Sequence, residues 1–418
     1  MHVPEAIAGA KVVVLTGAGA SVPLGLFTTR QFLEDFRMKD APPLYAQGLE
    51  VPLSFVLSEA AIGDFDIEVV LDLLERRRAA VELLLADRRF VENVPQGRLD
   101  AARKYAAEAA QIDAAIRNKV VEHYSAVSPG RAAELYRPLL REFRAWFARI
   151  PDLGHTLPFF TLNYDTAVEL AANRLADVPA EQDGQQLPVR LVDGLMQSSD
   201  AAERRWSRRA FEEYTENSNQ LGLVLVKLHG SVRWGRSSEP NASERIAELT
   251  PGVGRDPGRF QTAILYPTLA PKPIHQEPFR TGYRLLRACL RRTRFFVIIG
   301  CSLRDPELVE EIRDAIEEND GLHLVSVGPT ADFVGVCDAL SLTSGRDRVA
   351  ALQAEFAMPR PQAESTLPGG LLPREWLMGC LRILALEAYG VVGVSGGPHF
   401  GRTEICDRSK GLGQTPPP

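Results

Sequence analysis

Apolar positions fall into two patterns along this chain: short unbroken runs, and longer stretches at helical spacing. Val12, Val13, Val14 and Leu15 form a β-branched run that predicts a buried strand over 11–16. The stretch Gly17-Ala18-Gly19-Ala20-Ser21 ends it, and Thr28 or Thr29 is placed to cap a helix carrying Phe32, Leu33 and Phe36. Strand character returns at 157–162, 221–228, 262–266, 295–299 and 322–327. Helices fit between several of these, at 165–175, 277–292 and 305–318.

The first gap is different. Ile67, Val70, Leu71, Leu74, Val81 and Leu84 follow helical spacing with charges between them. Residues 100–124 are Ala-rich and amphipathic, and Leu135, Leu139, Phe143, Trp146 and Phe147 continue the pattern. Strands alternating with helices predict an α/β fold: a Rossmann-like, mainly parallel sheet with helices on both faces, plus a large helical insertion at about 40–152. That domain spans 1–345. A C-terminal helical segment follows at 346–390, with an amphipathic helix over 374–389, and a Gly- and Pro-rich flexible tail at 391–418.

Composition narrows the class. With 418 residues and 45% hydrophobic content, the chain can bury a large core, which excludes disorder throughout. The net charge of −6 provides no global basic field for nucleic acid or an anionic membrane. The five cysteines are dispersed with no C-x-x-C pair, which argues against a zinc ribbon or redox dithiol and fits a reducing cytoplasm. The uncharged stretch 12–29 is broken by Gly17, Gly19, Pro23 and Gly25 and preceded by Glu5, so it reads as strand and turn, not as a leader. No segment reaches the apolar length of a membrane span. Arg204, Arg205, Arg208 and Arg209 around Trp206 read as a solvated helix face, and Arg284, Arg287 and Arg291 as a surface stripe. Asp64, Asp66 and Glu68 suit a helix start and are not read as metal ligands. Tyr266, Pro267, Pro271 and Lys272 form a loop that would lie over a ligand.

Four strand ends carry polar groups, and open α/β sheets bind ligands beyond the carboxyl ends of their strands. The first holds Gly17 and Gly19, whose backbone can approach a ligand closely; a following helix would aim N–H groups at a phosphate. A tight strand–helix turn explains the same glycines. The second is Thr161-Leu162-Asn163-Tyr164-Asp165, where Asp165 suits a helix cap but capping leaves Asn163 unexplained. The third is Lys227-Leu228-His229-Gly230-Ser231, which puts an imidazole at a strand end. The fourth is Gly300-Cys301-Ser302, followed by Asp305-Pro306-Glu307 and a helix. No base can be assigned to Cys301, so it is not read as a nucleophile.

In order and context, the four resemble the sirtuin superfamily. Gly17-Ala18-Gly19-Ala20-Ser21, running on to Gly25 and Arg30, is similar to its glycine loop. Thr161 to Asp165 is similar to Thr-Gln-Asn-Ile-Asp, His229-Gly230 to its catalytic His-Gly, and Gly300-Cys301-Ser302 to its Gly-Thr-Ser. Departures are clear: there is no four-cysteine zinc module, Leu162 replaces Gln, and Phe27-Thr28-Thr29 replaces Pro-Asp-Phe. The pattern is more similar to the sirtuin-like branch of bacterial anti-phage defence.

The resemblance implies an NAD hydrolase releasing nicotinamide and ADP-ribose, with NAD as substrate and no zinc. Asn163, His229 and Asp165 would be catalytic. Gly17, Ala18, Gly19, Ser21, Arg30, Asp165, Gly300 and Ser302 would bind the dinucleotide. It further implies a homo-oligomer, gated by assembly or by a partner ATPase, helicase or Argonaute-type protein, with no membrane and no direct nucleic-acid contact. The alternatives are an NAD-dependent protein deacylase and a non-enzymatic NAD- or ADP-ribose-binding subunit.

Overall fold

Seven strands form one parallel sheet, and the four at its centre are buried at every position. The strands in chain order are β1 (Val12–Thr16), β2 (Thr156–Thr161), β3 (Val189–Val192), β4 (Leu195–Gln197), β5 (Arg204–Trp206), β6 (Leu221–Lys227), β7 (Gly230–Ser237), β8 (Ile246–Glu248), β9 (Phe260–Ile264), β10 (Phe295–Ile299), β11 (His323–Gly328) and β12 (Val349–Gln353). The structure, a computed structural model, describes residues 2–49, 52–54, 56–58, 66–149, 153–176, 188–197, 204–237, 246–249, 260–265, 274–329, 331, 333–342 and 348–353. The chain divides after Pro368 into two compact units, and every described residue lies in the first. The expected helix at 374–389, the tail from 391 and the loop Tyr266 to Lys272 lie outside the described residues.

The large sheet runs β12-β11-β10-β1-β2-β6-β3, and every pairing in it is parallel. Every residue of β1, β2, β6 and β10 is buried, which is why these strands read as continuous apolar runs rather than alternating ones. Leu15, Phe160, Val226 and Ile298 face the helices Phe279–Leu290 and Pro306–Glu318 through Leu286, Leu308 and Ile312. On the opposite face, Tyr136 and Trp146 of the helix Pro129–Arg149 meet Phe159 and Phe295. Helices therefore cover both faces, as expected.

The described residues of 40–152 are mostly helical, with Ile67–Ala86 packed against Gln96–Ser125. Its last helix, Pro129–Arg149, packs on the sheet, with Tyr136 against Phe159. Two expectations are corrected. The strand expected at 262–266 is β9, and it belongs to a second, antiparallel sheet of order β4-β5-β8-β7-β9. The segment from 346, expected to be helical, contains β12, which pairs with β11 at the sheet edge.

One arginine reading changes in part: Arg204 lies on β5, where it pairs with Asp193 at 2.6 Å and Glu248 at 3.2 Å, while Arg205, Arg208 and Arg209 are exposed. Arg287 and Arg291 are on the surface as expected, and there they reach Glu311 and Glu318 of the next helix.

Candidate active site

Strand order places the site. The chain leaves β1 toward β2 and β6, then returns to the other side of β1 as β10, so the order reverses between β1 and β10. The loops at the carboxyl ends of such neighbours diverge and leave a crevice. A cleft of about 1050 Å³ opens there, lined by residues following β1, β2, β6, β10 and β11. All ten residues read from the sequence as site residues border it: Gly17, Ala18, Gly19, Ser21, Arg30, Asn163, Asp165, His229, Gly300 and Ser302.

The glycines bring two loops into backbone contact. Gly17 N–H donates to the Ile299 carbonyl and Gly19 N–H to the Gly300 carbonyl, both at 2.9 Å. A Cβ on Gly17 would lie 2.7 Å from the Gly300 oxygen, and one on Gly300 (φ 62°) would lie 2.3 Å from the Ala20 nitrogen. Both glycine amides are thus engaged by the end of β10 and the residue after it. The turn continues as a 3₁₀ helix, Ala18–Leu24. The α-helix begins later, at Thr29–Lys39, with Thr28 and Gln31 forming a reciprocal capping box.

Ser21 is 1% exposed, and its hydroxyl is held between two side chains at the edge of the cleft. Ser21 Oγ donates to Asp165 Oδ2 at 2.7 Å and accepts from Asn163 Nδ2 at 2.9 Å. Asp165 Oδ1 accepts Ala167 N–H at 2.9 Å, the capping role that its position suggested. The Asn163 amide is therefore oriented, and its Oδ1 is buried with no hydrogen-bond partner among the described residues. Such an acceptor is costly in isolation and cheap once a ligand hydroxyl or water donates to it.

Lys227, at the end of β6, supports this loop from below. It donates to the Asn163 and Asp165 carbonyls and pairs with Glu169 at 3.1 Å. Burial raises the Glu169 carboxyl above its ordinary range, and Lys227 opposes that rise.

His229 sits where the two sheets join. The following Gly230 (φ 85°) turns the chain into β7, and a Cβ there would lie 2.1 Å from the Ala263 oxygen, so only glycine fits. The His229 carbonyl accepts Leu265 N–H at 2.8 Å, and its Nε2 lies 2.6 Å from Asp305 Oδ2. Burial pushes the Cys301 thiol up to about 11, so no thiolate nucleophile stands in the cleft at neutral pH.

Sequence reasoning missed four contributors. Glu68 borders the cleft and accepts from Tyr164 Oη at 2.8 Å, while Asp66 caps its helix and accepts from Thr29 Oγ1 at 2.9 Å. Tyr124 borders the cleft from the helix Gln96–Ser125 and donates to the Phe27 carbonyl at 2.9 Å. Asp305 was visible only as part of a helix start. Among the described residues no group of His, Cys, Asp and Glu side chains could hold a metal ion, and no helix is long and apolar enough to cross a membrane.

A family model, the SIR2-like domain, matches residues 158–332, the part that carries Asn163, Asp165, His229, Gly300 and Ser302. A search among curated proteins finds no match. Among solved structures, the chain is similar to a Sir2 homologue mutant in complex with 2′-O-acetyl ADP ribose (TM-score 0.38, 13% identity, 91% of this chain and 96% of that chain). It is also similar to a Sir2 homolog–NAD complex (TM-score 0.37, 12% identity, 92% and 93%) and to Sir2Tm bound to a propionylated peptide (TM-score 0.32, 12% identity, 84% and 91%).

Proposed function

We propose that the protein is an NAD hydrolase that cleaves the nicotinamide–ribose bond to give nicotinamide and ADP-ribose. The observation that carries this reading is the convergence of Asn163, Asp165 and His229 in one cleft at the sheet's switch point. At about 1050 Å³ the cleft lies just above the roughly 300–1,000 Å³ usual for small-molecule sites, a size that supports a ligand as large as a dinucleotide. The SIR2-like domain match over 158–332 supports the same chemistry.

In this reaction the carbon–nitrogen bond breaks with its electron pair leaving on the ring nitrogen. Cationic nicotinamide departs neutral, so no general acid is needed. A water oxygen bonds to the oxocarbenium-like ribose carbon and loses a proton. Asn163 Oδ1, oriented through Ser21, accepts a hydrogen bond from a ribose hydroxyl or from that water. His229 takes the proton, a role that contributes roughly 10²–10⁴-fold. Asp165 receives the carboxamide of nicotinamide. Gly17, Ala18, Gly19 and Gly300 leave room for the pyrophosphate beside Arg30, and Ser302 lies on the adenosine side.

Water is favoured over acyl-lysine as acceptor, because the second sheet, spanning 195–264, contains no cysteine and so no four-cysteine zinc module beside which a peptide would lie. Following the resemblance, we assign the protein to cytoplasmic anti-phage defence, as an NAD-depleting effector gated by self-assembly or by a partner protein. The test is nicotinamide release from NAD by the purified protein, by Asn163→Ala and by His229→Ala. Turnover that falls at least about 100-fold in both variants supports the reading. Release that needs acyl-peptide and yields acetylated ADP-ribose identifies a deacylase instead, and tight ADP-ribose binding with NAD left intact identifies a binding subunit.

A further inference from the structure

Asp305 belongs to none of the roles assigned above, yet its Oδ2 lies 2.6 Å from Nε2 of the proposed base. β10 and β6 are separated in the sheet by β1 and β2, so the loop 300–305 must cross both strand ends to bring this carboxylate to His229. That loop holds two left-handed residues, Gly300 (φ 62°) and the non-glycine Leu303 (φ 53°). Such conformations persist where the surrounding structure over-determines them, and they cluster at functional sites. The His229 and Asp305 side chains are only 4% and 5% exposed. Asp305 Oδ1 accepts Leu308 N–H at 3.3 Å and caps the helix Pro306–Glu318, so the helix start fixes the direction of the second oxygen. Tyr283, on the helix Phe279–Leu290, and Glu307 lie close by; burial first, then Asp305 and Glu307, raise the tyrosine hydroxyl well above its ordinary value, keeping it neutral.

We propose that Asp305 is the positioning residue of His229, fixing the imidazole with its proton on Nε2 and its lone pair on Nδ1. A carboxylate only accepts hydrogen bonds, so in the neutral ring the proton between Nε2 and Oδ2 belongs to Nε2. Nδ1 is then the nitrogen that takes a proton from water or a ribose hydroxyl. The imidazolium so formed has its counter-charge 2.6 Å away, in a place where water cannot supply it. The proposal rests on the hydrolase reading for its catalytic consequence and on geometry alone for the tautomer.

Asp305→Asn and Asp305→Ala separate positioning from structure. Asn keeps an oxygen for Leu308 N–H but presents an N–H to Nε2, which drives the ring proton to Nδ1. Ala removes both contacts. The readouts are ¹⁵N chemical shifts of the His229 ring (assigned by loss of signal in His229→Gln), nicotinamide release and melting temperature. We expect Nε2–H in the parent and Nδ1–H in Asp305→Asn. We also expect kcat to fall roughly 10²–10⁴-fold in Asp305→Asn with KM for NAD within about threefold, even though this variant melts above Asp305→Ala. Nδ1–H in the parent, near-parental kcat in Asp305→Asn, or activity losses that follow the melting order would each overturn the proposal. If the parent releases no nicotinamide, the hydrolase reading fails while the ring shifts still decide what Asp305 does.

Discussion

Replacing Lys227 with methionine isolates what a buried cation does for the loop that carries Asn163 and Asp165. The side chain is 3% exposed, lies 3.1 Å from Glu169 Oε1, and donates to the carbonyls of Asn163 and Asp165. Methionine keeps the length of the stem and removes the charge. A carboxylate and two carbonyls then lose their donor together. Removing one partner of a buried ion pair costs about 3–5 kcal/mol. That is a large part of a total stability of about 5–15 kcal/mol. The double variant Lys227→Met/Glu169→Leu leaves no unpaired charge and should recover about half of the loss or more. The pH dependence has a definite sign. Burial already holds the folded Glu169 carboxyl above its ordinary range, against the pull of Lys227. A group raised in the folded state contributes stability that is present at low pH and lost as pH climbs through its folded value. Without Lys227 the rise is greater, so the Lys227→Met penalty is largest near pH 8.5 and narrows toward pH 5. Urea denaturation of the parent and both variants at pH 5, 7 and 8.5 measures this. A loss below about 1 kcal/mol at pH 7, or a penalty that grows on acidification, would refute the account of this pair.

Three further outcomes are expected. Gly300→Ala combines a left-handed φ with a Cβ 2.3 Å from the Ala20 nitrogen, whereas Gly48→Ala has a similar φ and nothing within 4 Å; denaturation should show a loss of about 1–2 kcal/mol for Gly48→Ala and clearly more for Gly300→Ala. Ser21→Ala removes the bridge between Asn163 and Asp165, so nicotinamide release should fall about tenfold or more while stability drops by about 1–3 kcal/mol. His123 Nε2 accepts Phe27 N–H at 2.9 Å, and burial holds this imidazole below its ordinary value. The stability tied to the neutral ring is present above the unfolded value of about 6.5 and is lost as pH falls below it, so His123→Gln should flatten the fall in melting temperature between pH 6.5 and 5.

What the amino-acid order determined by itself is the set of buried runs and the polar residues at their ends. β1, β2, β6 and β10 were legible because a strand covered on both faces must be apolar at every position. The small sheet was not legible in this way. β4, β5 and β8 have only three residues each, too few for a period to show, and β5 has the sequence Arg-Arg-Trp. Capping was local enough to read at Thr28 and Asp165, whose partners lie within three residues. The contacts that orient the site are not local: Ser21 meets Asn163 across 142 residues, and His229 meets Asp305 across 76. Hydrophobic periodicity tells which face of an element is buried, but not which element covers it. Only the strand order, with β10 returning to the far side of β1, decided that Gly17 would touch Gly300 and that an aspartate in a helix cap would face an imidazole.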